Sequence, residues 1–117
     1  MSSIQEITNK ILEFRNARKW EKYHTPKNLA LSLIVEIGEL FELIQWQTNS
    51  EIKNELSKIE GSVADELADV AIYLFLLSHE LDTDLSSAIL QKIEKNWKKY
   101  PVGSLTDEKI KWGKAEN

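Results

Sequence analysis

Apolar residues recur along this chain at three- and four-residue steps, and no strand-like alternation competes with them, so the pattern predicts helices throughout. The strongest segment is 25–47, TPKNLALSLIVEIGELFELIQWQ. Leu29, Leu33, Ile37, Leu40 and Ile44 form one stripe, widened by Ala30, Ile34 and Phe41, which predicts a largely buried helix opened by Thr25 and Pro26. A second buried helix is expected after Ser62, in VADELADVAIYLFLLSHEL, with Asp65 and Glu66 in its first turn. Two amphipathic helices flank this pair. One runs from Ser2 or Ser3 to about Lys19 on the stripe Ile4, Ile7, Ile11 and Phe14, with Arg15 and Arg18 near that line; the other runs from Thr83 or Asp84 to about Lys99 on Leu85, Ile89 and Ile93, with Lys92 and Asn96 at its edge. Between the central helices, EIKNELSKIEG reads as a short solvated helical turn ending at Gly61, while Pro101 and Gly103 close the last helix before a polar tail over about 102–117. The expected fold is all-α, an antiparallel four-helix bundle in one domain spanning residues 1–117. Because the central helices are apolar almost all round, one layer of four cannot cover them, and a homodimer or homotetramer is expected.

Composition narrows this picture. At 117 residues the chain is long enough for one core and too short for two. Its 15 basic and 19 acidic residues leave a formal charge of -4, which gives no global electrostatic case for binding a nucleic-acid polymer and leaves only a local cationic patch open. With no cysteine there is no disulfide, zinc-thiolate site or thiol chemistry. Acids interrupt the apolar runs well before bilayer length and no basic-plus-apolar leader is evident, so a cytoplasmic location off the membrane is expected.

Acidic residues supply the candidate chemistry. Glu36 and Glu39 leave one face of the first central helix, with Ser32 a turn before, and Glu66 and Asp69 repeat the spacing on the second. Like charges in a poorly hydrated setting cost several kcal/mol, on the order of known burial penalties, unless a cation offsets them. If the helices pack side by side, the four acids form an oxygen-rich site for Mg2+ or Mn2+. A di-iron centre would need Glu-x-x-His pairs, which are absent. Taken singly, an E-x-x-E pair is ordinarily a solvated face; two pairs on the most apolar helices argue otherwise, and Glu42 and Asp65 are assigned to surface and capping roles. Trp46 shares the acidic face about two turns, roughly 10 Å, beyond Glu39, and Tyr73 stands one turn past Asp69.

The runs WEKYHTPKNL, EIGELFELIQW, DELADVAIY and KIEKNWKKYP together resemble the MazG-like superfamily of all-α nucleoside triphosphate pyrophosphohydrolases, and most closely its dCTP pyrophosphatase branch. The resemblance spans Trp20 to Pro101. Val35 stands where MazG domains often carry a doubled acid, which favours the smaller branch over a broad substrate range. The resemblance implies Mg2+-dependent cleavage of a triphosphate between its α and β phosphates, with Glu36, Glu39, Glu66 and Asp69 as metal ligands and Glu36 or Glu39 as general base. It also implies a base pocket at Trp20 and His24, with Trp46 as a stacking surface and Tyr73 beneath the sugar, and phosphate contacts from Lys92, Asn96 and Tyr100, with Lys99 nearby. A reading of another class is a non-catalytic nucleotide- or metal-binding helical oligomer. It predicts binding without turnover.

Overall fold

The computed structural model of the chain describes residues 3–54 and 56–103, with backbone alone for 56–61. These residues form helices and turns: α1 (Ile4–Ala17), a 3-10 turn (Glu21–Tyr23), α2 (Pro26–Glu42), α3 (Asn49–Asn54), α4 (Leu56–Glu80) and α5 (Leu85–Lys99). From residue 104 onward the expected polar tail lies outside the described residues. No helix among them is long and apolar enough to cross a membrane.

Local chemistry sets the helix ends. Ser3 and Glu6 form a reciprocal capping box on α1, and the Thr25 hydroxyl accepts the Asn28 N–H at 3.2 Å at the start of α2. Two ends differ from the sequence expectation. Helix α2 stops at Glu42 instead of continuing to Gln47, so Trp46 lies in the turns that follow rather than on the helix. Helix α4 begins at Leu56 and passes through Gly61, which was expected to end the preceding turn, and Ser62 is therefore interior. One glycine costs a helix only about 1 kcal/mol, too little to break a long packed one.

The chain divides into two units, Met1–Thr83 and Asp84–Asn117. Within the first, α2 packs chiefly on α4, and α1 packs on the same helix. Among its described residues, Leu29 and Leu76, 1% and 2% exposed, are the buried apolar ones. On α2 the less exposed line runs Leu29, Leu33, Glu36, Leu40, Leu43; on α4 it runs Glu66, Asp69, Tyr73, Leu76, Glu80. Both are near-heptad seams, and acids occupy seam positions on each. Ile37, expected on the buried stripe, is exposed, and so are Ile34, Val35 and Phe41, since a single chain offers too few helices to enclose α2. The described part of the second unit holds α5, capped by the Asp84 carboxylate accepting the Ser87 N–H.

Candidate metal centre and adjoining cavity

Glu36 and Glu39 from α2 meet Glu66 from α4, with one carboxylate oxygen of each lying within 4.8 Å of the others. Glu39 is exposed; Glu36 and Glu66 are half-buried because they sit on the seam. Glu36 Oε1 is buried and accepts no hydrogen bond. Desolvation pushes the Glu36 carboxyl above its ordinary pKa, and the charges of Glu39 and Asp69 push it further. Glu66 is raised by desolvation too, then by Glu39, Glu36 and Asp69. Buried acceptors without donors and mutual repulsion are what a hard divalent cation relieves, so the donor set fits such an ion. Asp69 stands beside the three, acting on Glu36 and Glu66 through its charge.

Asp69 also lines a cavity of about 260 Å³, whose other walls are Ile11, Phe14 and Arg15 from α1, Trp20 and His24 from the connector, and Ile72, Tyr73 and Leu76 from α4. Its shape follows from how α1 ends. Lys19 takes a left-handed conformation, φ +57°, and the Trp20 N–H donates back to the Arg15 carbonyl at 3.2 Å, a Schellman-type closure. That turn folds Trp20 over the end of α1, where its ring meets Phe14 edge-on at 5.9 Å and the Arg18 guanidinium covers Phe14 at 3.6 Å. Asn28 then ties the start of α2 to the connector by donating to the Tyr23 carbonyl at 3.1 Å. His24 follows that anchor. Its Nδ1 is buried with no hydrogen-bond partner. Desolvation lowers its pKa, aided by Arg15 and opposed by Glu80 and Glu21, which favours the neutral ring.

The structure thus brings Glu36, Glu39 and Glu66 together, and gathers Trp20, His24, Tyr73 and Asp69 around one cavity. Trp46 is 87% exposed and outside that cavity. In the second unit, Lys92 and Asn96 lie two turns and one turn before Tyr100, whose N–H caps α5 on the Asn96 carbonyl at 2.8 Å. Sequence reasoning missed Arg15 as a wall of the cavity. It is 6% exposed and donates from Nη1 to Glu80 Oε2 at 2.9 Å. The available signal was a charge standing close to the apolar line of α1, seven residues after the buried Thr8.

An all-α chain with clustered carboxylates on two packed helices, beside an aromatic cavity, defines a helical protein with a candidate carboxylate metal centre. The sequence profile of the MazG-like family matches residues 31–114, and the chain belongs to that family. It is 37% identical to mouse dCTP pyrophosphatase 1 and 38% identical to the human protein of that name, in each case over 102 residues. These cover 86% of this chain and 60% of each relative, so the chain spans about three-fifths of the curated relatives it matches. The crystal structure of a pyrophosphatase from Archaeoglobus fulgidus superposes with a TM-score of 0.78 at 42% identity, covering 86% of this chain and 94% of that one.

Proposed function

We propose that this protein is a Mg2+-dependent nucleoside triphosphate pyrophosphohydrolase acting in the cytoplasm on deoxynucleotides, dCTP or modified pyrimidine forms above all, for sanitation of the nucleotide pool. Three clustered carboxylates, one of them with a buried, unpartnered oxygen, next to an aromatic cavity, carry the reading. The names of the relatives agree with it. Glu36, Glu39, Glu66 and Asp69 would hold the cation, Mn2+ being the alternative. When bound, it supplies charge neutralisation for the triphosphate and a water of lowered pKa. The protein's own part begins with the base, which enters the cavity against Trp20 and His24, while Tyr73 meets the sugar and excludes a 2'-hydroxyl. Trp46 is a further candidate stacking surface, and Lys92, Asn96 and Tyr100 are the candidate phosphate contacts. Glu36 or Glu39 accepts the proton of the attacking water as the α–β anhydride bond breaks and pyrophosphate leaves. A homodimer or homotetramer is the working form, because it would cover the apolar face of α2.

Incubation with Mg2+ and a panel of ribo- and deoxynucleoside triphosphates should release the monophosphate and pyrophosphate in equal amounts. Release of the diphosphate and single phosphate would overturn the reading, and nucleotide binding without turnover would favour the non-catalytic alternative.

A further inference from the structure

The cavity wall contains a cation to which the metal centre and the proposed chemistry give no role. Arg15 is 94% buried by its 6% exposure, and it shares the cavity with Trp20, His24 and Tyr73. Two of its five N–H donors are engaged: Nε donates to Asn16 Oδ1 at 3.2 Å, and Nη1 gives one hydrogen to Glu80 Oε2 at 2.9 Å. The other Nη1 hydrogen and both on Nη2 have no protein acceptor among the described residues. Glu80 holds the charge in place, which leaves part of the fork unused at the cavity wall. A planar fork prefers two adjacent acceptors, and the unpaired donors on this cavity wall are free to meet them.

Resting on the pyrophosphohydrolase reading, we infer that Arg15 is the residue by which the cavity chooses among pyrimidines, its free donors pairing with the adjacent O2 and N3 acceptors of cytosine. Uracil and thymine carry an N–H at position 3. They set a donor against the guanidinium and lose one of the two bonds. Stacking on Trp20 is blind to this difference, since every base has a π face. His24, with its unpartnered Nδ1, supplements the edge contact, and Glu80 serves as the positioning residue for Arg15.

Calorimetric binding of dCMP and dUMP, with pyrophosphate release from dCTP and dUTP followed in parallel, tests this. Wild type should prefer dCMP by about tenfold or more, the worth of one charge-assisted hydrogen bond. Arg15→Lys keeps a cation for Glu80 but lacks the fork, and should bring the two affinities within about threefold of each other at an unchanged melting temperature. Should that variant fail to fold, the double change Arg15→Met with Glu80→Met removes the pair without orphaning a charge and should give the same loss of preference. A wild type with no preference, no binding of either monophosphate, or a preference retained in the variants would overturn the inference. Absence of pyrophosphate release from wild type would instead overturn the functional reading, so the two failures are separable.

Discussion

Glu36 faces a conflict at the residue level: it occupies a seam position that packing would give to an aliphatic side chain, and its Oε1 is buried without a donor. Its pKa is raised, so the folded chain binds this proton more tightly than the unfolded chain does. The contribution is therefore favourable below the ordinary carboxylate pKa and is lost as pH rises through the elevated one. Glu66, shifted the same way, adds to the effect. Metal-free protein should accordingly lose melting temperature from pH 5 to pH 8, and Glu36→Gln should flatten that loss while cutting turnover about a hundredfold or more. Mg2+ should restore more stability at pH 8 than at pH 5, approaching about 2.7 kcal/mol at a hundredfold excess over Kd. Calorimetric melts across pH, with and without the ion, check both. Trp20→Ala should raise KM by about five- to 150-fold, equivalent to about 1 to 3 kcal/mol of stacking, with kcat little changed.

Among the elements, the packing of α2 on α4 is the support on which the three acids depend. Leu76 and Leu29 flank the acids along their seams, and Leu76→Ala should cost about 2 to 5 kcal/mol in urea unfolding. Helix identity and the pairing of Glu36, Glu39 and Glu66 were legible in the sequence because 3.6-residue periodicity and i,i+3 spacing are local properties. The boundaries were less so. Periodicity continues past Glu42 although the backbone turns there, and Gly61 looks like a stop although tertiary packing overrides its propensity. The buried line of α2 was read through Ile37, whereas the structure runs it through Glu36. The cause is physical: a helix apolar on most sides does not declare which side faces its partner. Arg15 was hidden for a related reason, since its burial depends on Glu80, 65 residues away.

At the scale of the whole molecule, the composition is that of an ordinary globular chain, yet Leu29 and Leu76 are the apolar residues it fully buries among those described. Leu31, Ile34, Val35 and Phe41 stand more than half exposed on α2, the helix that also carries Glu36 and Glu39. An apolar face of this kind is costly in water, and it is the surface that the proposed oligomer would use. The proposed oligomer would cover it and would leave Trp46, 87% exposed in the single chain, near that surface at the end of the same segment. Ile34→Asp combined with Phe41→Asp should therefore shift the protein to monomer in sedimentation equilibrium. If association supports the site, the same variant should lose activity more at low protein concentration than at high, whereas wild type keeps a constant specific activity over that range. A monomeric wild type, or a double variant that still associates, would remove the oligomer from the proposal while leaving the chemistry of Glu36, Glu39 and Glu66 to stand on the metal-binding and product measurements alone.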